Sequence, residues 1–219
     1  MSSKNDSNRS DKRLILSEFR NFFIIHEETF EEVGLSSNVY ILKSNNGYII
    51  FDTSGHKELL KFLIDIGINK DKIICAFLTH GHFDHSNGAI SLIKNNIKCY
   101  MSYEDLYLID FSPVLDINDG EKILEKVNLE VLKTPGHTPG STCFYSESEA
   151  LLISGDTVFS DGCFGRTDLP GGNSVAIKNS LRILSSLNIE VLFPGHGNYV
   201  TKGGSKIINY ALNNAEHLI

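Results

Sequence analysis

The sequence contains no long hydrophobic run. Its longer apolar stretches, such as YIIF (48–51) and IICAFL (73–78), are far shorter than the roughly 20 residues that a helix needs to cross a bilayer. The first thirteen residues, MSSKNDSNRSDKR, are polar and lack the apolar centre of a secretory signal. We therefore expect a cytoplasmic protein with no membrane partner, in which residues 1–13 form a disordered tail.

Paired cysteines, excess positive charge and linker segments are absent as well. The four cysteines form no CxxC pair, so we expect reduced and mostly buried thiols. The net charge of -7 at pH 7 argues against a nucleic-acid partner. Since no Pro/Gly-rich or low-complexity segment divides the chain, we expect a single domain over residues 14–219.

The sequence does contain many short runs of β-branched and aromatic residues, which predict strands. The predicted strands lie at 22–25, 39–42, 48–51, 73–79, 99–102, 129–134, 141–145, 150–154 and 189–193. Apolar residues at helical spacing predict helices over 56–67, 87–96, 173–187 and 204–217. Strands outnumber helices, and helices separate groups of strands in both halves. This pattern predicts an α/β protein in which two sheets pack face to face and helices cover the outer faces.

One segment, LTHGHFDHSNG (78–88), places His80, His82, Asp84 and His85 within six positions. Neighbouring imidazoles repel one another once protonated, and buried polar side chains cost free energy unless they are paired. Coordination of a metal ion would compensate for crowding them.

Three later stretches extend this cluster. They are TPGHTPGS with His137, SGDTVF with Asp156 and FPGHG with His196. Each polar side chain follows a predicted strand and lies beside glycine, which allows a tight turn and a close approach to a ligand. Imidazole and carboxylate groups together suit Zn²⁺, with Fe²⁺ or Mn²⁺ as alternatives.

Five histidines and two aspartates exceed what one tetrahedral ion needs, so we expect two divalent metal ions. On an extended segment the side chains of His80 and His82 point to the same side, because side chains alternate with a period of two. These two histidines would share the first ion with His137.

The second ion would be held by Asp84, His85 and His196, and Asp156 would bridge the two ions. Two ions about 3.5–4 Å apart can stabilise both the entering and the departing oxygen of a displacement reaction.

The pattern THGHFDH, TPGHTPG, SGDTVF and FPGHG resembles the metallo-β-lactamase superfamily over residues 20–200. The resemblance implies a four-layer αββα sandwich with the metal site at one edge of the sheets. Within the superfamily, GDTVFSDGCFGRTDLPGG (155–172) is similar to the small glyoxalase-II-like hydrolases of bacteria.

This resemblance implies a binuclear hydrolase that cleaves small acyl thioesters by a metal-bound hydroxide. Asp84 would bind metal and also orient the hydroxide, as a catalytic residue. Because a thiolate leaves readily, no strong general acid is needed. Arg166 would contact a carboxylate of the substrate, or else form an ordinary ion pair with Asp168.

The sequence departs from full-length hydroxyacylglutathione hydrolases in two ways. Those enzymes carry a C-terminal helical domain, whereas 23 residues follow His196 here. Their loop after the bridging aspartate typically offers a lysine and a tyrosine, whereas GRTDLPGG (165–172) offers Arg166 and no tyrosine. We therefore expect weak recognition of glutathione.

Two further activities fit parts of the pattern. A persulfide dioxygenase with one non-haem iron would use His80, His137 and Asp156, since such iron needs two histidines and a carboxylate. That branch shares the GRTD loop but typically has HD at the last ligand, where this chain has His196 and Gly197. A lactonase would share TPGHTPG.

Overall fold

The computed structural model of the chain describes residues 16–124 and 127–218, so the predicted tail over 1–13 lies outside the described residues. The first sheet comprises β1 (Leu16–Phe19), β2 (Phe22–Ile25), β3 (Val39–Lys43), β4 (Tyr48–Phe51), β5 (Ile73–Phe77) and β6 (Lys98–Tyr100). These six strands lie side by side in chain order. The second sheet comprises β7 (Lys122–Leu124), β8 (Asn128–Lys133), β9 (Thr142–Ser146), β10 (Leu151–Gly155) and β11 (Val191–Pro194). Its spatial order is β11, β10, β9, β8, β7.

Helices connect and cover these strands. The α-helices are α1 (Leu59–Asp65), α2 (Phe83–Ser86), α3 (Ala89–Ile93), α4 (Ser174–Ser185) and α5 (Gly204–Leu218). Short 3-10 helices span Glu27–Val33, Lys70–Lys72 and Tyr103–Leu108. Helix α4 begins where it does because the Asn173 side chain accepts hydrogen bonds from the backbone N–H groups of Val175 and Ala176.

The two faces of the first sheet are both buried. In β3, Val39 and Ile41 pack in the cluster that contains Leu63 of α1, whereas Tyr40 and Leu42 pack between the two sheets. Because helices cover one face and the second sheet covers the other, the strands are apolar at nearly every position instead of alternating with polar residues.

The second sheet repeats this arrangement. Phe193 of β11 packs between the sheets, where its ring stacks on that of Tyr40 at 4.6 Å. Leu192 faces the other way and packs with Leu181 of α4 and Ile208 of α5. The layers are therefore helix, sheet, sheet, helix, and the predicted four-layer αββα sandwich is confirmed.

Strand directions bring several loops to one edge of this sandwich. Strands β4, β5 and β6 are parallel to one another. Strands β8 and β10 both run antiparallel to β9, and β11 runs parallel to β10. Strand β2 has the same direction as β4, since both are antiparallel to β3. Four strands of the first sheet and three of the second thus end at the same edge, which is where open α/β sheets generally place their functional loops.

The strands predicted from the sequence are confirmed to within two residues at each end, and the helices to within three. The prediction missed β1, β7, the single-turn helix α2 and the three 3-10 helices. β1 and β7 each pair with a single neighbouring strand and have four and three residues. Such short edge strands carry too few residues for a recognisable apolar pattern.

The structure bears on the expected burial of the cysteines and on the expected lack of a membrane-spanning helix. Three of the four cysteines are buried, and Cys163 is exposed. Within residues 16–124 and 127–218, no helix combines the length and hydrophobicity that crossing a bilayer requires.

Candidate metal centre

The histidines and aspartates of the segment 78–88 lie just beyond the end of β5. His80 and His82 are in the loop that follows the strand, and Asp84 and His85 are in the single turn of α2. The imidazole of His85 and the carboxylate of Asp84 are buried. All four side chains point toward the edge at which the two sheets meet, as the contacts below show.

The predicted strand over 73–79 is too long, because β5 ends at Phe77. The backbone N–H of Thr79 donates to the carboxylate of Asp52 at 2.7 Å instead of to a neighbouring strand. His80 and His82 therefore lie on a loop, and the two-residue alternation of a strand does not orient them. Their rings nevertheless lie close together, with centroids 4.9 Å apart.

The other three residues follow strands of the second sheet, as predicted. His137 lies in the loop after β8, Asp156 directly follows β10, and His196 lies just beyond β11. Glycine is needed at Gly195, where an added Cβ would lie 2.2 Å from Asp156 Oδ1. The backbone of this loop can approach the site because residue 195 has no side chain.

His80, His82 and His137, which we call the first ligand group, form one cluster of donor atoms. His82 Nδ1 lies 2.9 Å from His137 Nε2, and the ring centroids of His80 and His137 are 4.9 Å apart. One nitrogen from each of the three lies within 4.8 Å of the others, a spacing that can hold a metal ion.

Asp84, His85 and His196, the second ligand group, form a neighbouring cluster. His196 Nε2 lies 3.2 Å from Asp84 Oδ2 and 3.3 Å from His85 Nε2. Their donor atoms also lie within 4.8 Å of one another.

Asp156 lies between the two groups. Its Oδ1 atom is 3.1 Å from His85 Nε2, and its Oδ2 atom is 3.5 Å from His137 Nε2 and 3.7 Å from His196 Nε2. One carboxylate therefore reaches histidines of both ligand groups, which is the geometry that a bridging ligand requires.

Hydrogen bonds orient His80 and His85. The Thr79 hydroxyl donates to Asp52 Oδ2 at 2.9 Å and can thus accept from His80 Nδ1, which lies 3.1 Å away. His85 Nδ1 donates to the same carboxylate at 2.8 Å. In both rings the Nδ1–H is engaged, so Nε2 is the atom that faces the site.

His137 and His196 are oriented in the same way. His137 Nδ1 donates to the backbone carbonyl of Arg166 at 2.8 Å, and His196 Nδ1 donates to Glu27. Four of the five histidines thus present Nε2 to the centre, whereas His82 presents Nδ1 to its neighbour. Such partners fix the tautomer of a histidine that binds metal.

Two unpaired atoms show that the residues fit a bound cation. His80 Nε2 and Asp156 Oδ1 are buried and have no hydrogen-bond partner among the described residues. An unsatisfied buried polar atom costs about 1–3 kcal/mol, and more when it is charged. Divalent cations at the two ligand groups would satisfy both atoms and would separate nitrogens that otherwise face each other, as His85 Nε2 and His196 Nε2 do.

The electrostatics favour ionised carboxylates. Burial alone raises the pKa of Asp84, but the His85 charge and the hydrogen bond from His196 outweigh it and hold that pKa well below its usual range. Burial lowers the pKa of His196, yet its bonds to Asp84 and Glu27 raise the pKa to about 9 overall. The carboxylates and imidazoles of the centre therefore stabilise each other's charged forms.

The sequence did not single out Asp52 or Glu27. Asp52 directly follows the predicted strand over 48–51, as several of the ligands follow theirs, and this is the one signal that could have marked it. Glu27 lies in a short 3-10 helix whose residues carry no pattern. Its carboxylate reaches His196 and the N–H of Gly197 only because of the tertiary fold.

Arg166 lies on the loop beside His137. Its guanidinium group binds the Asp168 carboxylate through two hydrogen bonds of 2.8 and 3.0 Å, and the Arg166 side chain is 69% exposed. The ion pair between Arg166 and Asp168, which the sequence suggested as the alternative to a substrate contact, is thus present. Through its backbone carbonyl, Arg166 also orients a residue of the first ligand group.

Comparison with known proteins relates this centre to one family. A sequence profile described as the metallo-beta-lactamase superfamily matches residues 33–196. The chain is 34% identical over 186 residues to a probable metallo-hydrolase, YqgX, of Bacillus subtilis, covering 74% of this chain and 86% of that protein. It is 32% identical over 187 residues to the hydroxyacylglutathione hydrolase GloC of Haemophilus influenzae, covering 75% and 86%. A crystal structure of TTHA1623 in a di-iron-bound form is similar with a TM-score of 0.67 at 30% identity, covering 77% of this chain and 91% of that one.

Proposed function

The chain belongs to the metallo-β-lactamase superfamily, and we propose that it hydrolyses small acyl thioesters at a binuclear metal centre. The observation that carries the proposal is the convergence of both ligand groups on the single carboxylate of Asp156. The name of the Haemophilus influenzae relative, a hydroxyacylglutathione hydrolase, supports a thioester as the substrate class.

We propose one divalent ion for each ligand group, with Asp156 shared between them. Imidazole and carboxylate ligands suit zinc, and iron or manganese are the alternatives. The di-iron-bound relative supports iron as an occupant of such a centre. When bound, these ions supply Lewis acidity for a carbonyl oxygen and lower the pKa of a water molecule toward about 7.

Asp84 has a second role in this proposal. Its carboxylate is ionised because its pKa is held low, and it lies at the centre beside His196. An ionised carboxylate there accepts a hydrogen bond from the attacking water and orients the water toward the acyl carbon. Since a thiolate departs without being protonated, hydrolysis of a thioester needs no additional acid from the chain.

Arg166 is the residue that we propose for substrate binding. Its exposed guanidinium group lies on the loop that follows the shared carboxylate and could exchange Asp168 for a carboxylate of the substrate. The backbone of the same residue orients His137, so binding of substrate and orientation of the ligand are coupled at one loop.

One observation favours a second candidate, persulfide oxidation at a single iron ion. His80, His85 and Asp156 form a two-histidine, one-carboxylate group, the set that non-haem iron uses. This set contains His85 in place of the His137 expected from the sequence.

Metal analysis of the purified protein, combined with a substrate panel, tests these proposals. The panel contains a short acyl thioester, a lactone, a β-lactam and glutathione persulfide with an oxygen electrode. We expect two metal equivalents per chain and turnover of the thioester above the other substrates. One equivalent of iron with oxygen consumption would favour the dioxygenase, and turnover of the lactone alone would reject the thioester.

A further inference from the structure

We propose that Asp105 is a positioning residue for the first metal ion. This inference rests on the proposed metal centre, and specifically on assigning one ion to His80, His82 and His137. Asp105 lies in the 3-10 helix that follows β6, and it is fully buried.

The carboxyl group of Asp105 accepts three hydrogen bonds from the two loops that carry the first ligand group. Asp105 Oδ2 accepts from the backbone N–H of Gly81 at 3.0 Å and from the hydroxyl of Thr138 at 2.7 Å. Asp105 Oδ1 accepts from the backbone N–H of Gly140 at 2.7 Å. Gly81 separates His80 from His82, and Thr138 follows His137, so the bonds hold residues that adjoin all three proposed ligands in the chain.

Both glycines also pack directly on Asp105. An added Cβ at Gly140 would lie 2.6 Å from Asp105 Cγ, and one at Gly81 would lie 2.9 Å from the Asp105 carbonyl oxygen. Real Cβ atoms do not approach so closely, so the absence of a side chain at these two positions permits the hydrogen bonds.

The Asp105 carboxylate therefore links the loop after β5 with the loop after β8, and these two strands belong to different sheets. A backbone bond from Thr142 N–H to the Thr79 carbonyl, at 2.8 Å, joins the same segments close to the strand ends. Asp105 holds the loops farther out, where the ligands lie. Among the described hydrogen bonds, Asp105 contacts neither Glu27 nor Asp52, the residues that orient His196 and His85 of the second ligand group. Its effect is thus directed to one of the two ions.

The Asp105→Asn variant tests this inference. Asparagine keeps the shape but replaces one acceptor by an NH₂ group, which would face a hydrogen-bond donor. Zinc affinity is to be measured by chelator competition with Asp105→Asn introduced into two variants. These are His196→Ala, which impairs the second ligand group, and His82→Ala, which impairs the first. Asp105→Asn should lower zinc affinity about 10- to 100-fold in the His196→Ala background and leave it unchanged in the His82→Ala background.

If Asp105 only stabilised the 3-10 helix in which it lies, Asp105→Asn would weaken zinc binding equally in the two backgrounds. Asp116 accepts a hydrogen bond from the backbone N–H of Tyr103 at 3.0 Å and so stabilises the same 3-10 helix without contacting the ligand loops. Asp116→Asn is the matched control, and it should leave zinc affinity unchanged in both backgrounds. Equal weakening by Asp105→Asn in the two backgrounds, or an effect of Asp116→Asn as large as that of Asp105→Asn, would overturn the inference.

A second pair of variants covers the case in which Asp105→Asn does not fold. Thr138→Val removes one of the three donors while keeping the branched shape, and Thr138→Ser keeps the hydroxyl. The valine variant should bind the first ion more weakly and the serine variant should bind it normally. Equal affinities of the two variants would reject the inference. Failure of the wild-type protein to hydrolyse thioesters would reject the proposed function alone, because these experiments measure metal affinity.

Discussion

Glu27 and His196 are joined by a hydrogen bond across 169 positions of the chain. The second carboxylate oxygen of Glu27 accepts from the N–H of Gly197 at 2.9 Å, so Glu27 holds both the ring and the backbone of this loop. With Nδ1 engaged, His196 directs Nε2 toward Asp84. Glu27 therefore orients a proposed ligand without belonging to the ligand set.

Replacing Glu27 by alanine should weaken the second ion and lower kcat/KM about 10- to 100-fold, the usual cost of removing the partner of a histidine that binds metal. Zinc affinity and kcat/KM for a short thioester measure the effect. The adjacent and exposed Glu28 provides the control, since Glu28→Ala should change neither quantity. Glu27→Gln, whose amide oxygen can still accept from His196, should lose less than Glu27→Ala. Identical losses in the two Glu27 variants would contradict this role.

Asp156→Ala should release both ions and abolish activity, because its carboxylate is the one shared by both ligand groups. His82→Ala, which removes a ligand of one group only, should retain about one metal equivalent per chain. Metal content after dialysis distinguishes the two variants. If Asp156→Ala keeps two equivalents, the bridging role is wrong.

Arg166→Ala should raise KM for anionic thioesters far more than for neutral ones, as expected when a charge contact with the ground state is lost. Asp168→Ala, which frees Arg166 from its ion pair, should lower KM for the anionic substrates. Arg182, another exposed arginine paired with a carboxylate, serves as the control, and Arg182→Ala should leave both KM values unchanged. Equal effects of Arg166→Ala on both substrate types would contradict substrate binding by the guanidinium group. Arg166 would then act only through its backbone carbonyl, which accepts from His137.

We expect S-lactoylglutathione to be hydrolysed with a KM at or above about 1 mM, the upper end of usual values, but with a kcat similar to that for smaller thioesters. The loop 165–172 offers glutathione one cation, Arg166, and no tyrosine. Each hydrogen bond to a charged group contributes roughly 1.5–3 kcal/mol, so each missing contact weakens binding by about tenfold or more. Steady-state kinetics on both substrates provide the test. A low-micromolar KM for S-lactoylglutathione with inert short thioesters would overturn the expectation.

Much of the fold follows from local sequence patterns. Runs such as VYIL in β3 and YIIF in β4 are apolar at every position because both faces of their sheet are covered. Runs of that length and composition predict buried strands without reference to the rest of the chain. The proposed ligands are similarly local: five of the seven adjoin a glycine in a loop after a strand, and Asp84 and His85 follow closely in α2. Crowded histidines and aspartates have few uses other than binding metal, and the pattern alone identifies them.

The residues that orient the ligands are set only by the tertiary structure. Asp52, Glu27 and Asp105 are ordinary acidic residues in the sequence, and their partners are 33, 169 and 24–35 positions away. Local spacing cannot predict such contacts, because they depend on how the two sheets pack and on which strand ends meet. The strand predicted to continue to Thr79 ends at Phe77 for the same reason, because the N–H of Thr79 donates to Asp52. The sequence by itself thus determined which side chains gather at the sheet edge and how they divide into two groups, whereas their tautomers and orientation depend on hydrogen bonds that only the folded chain can form.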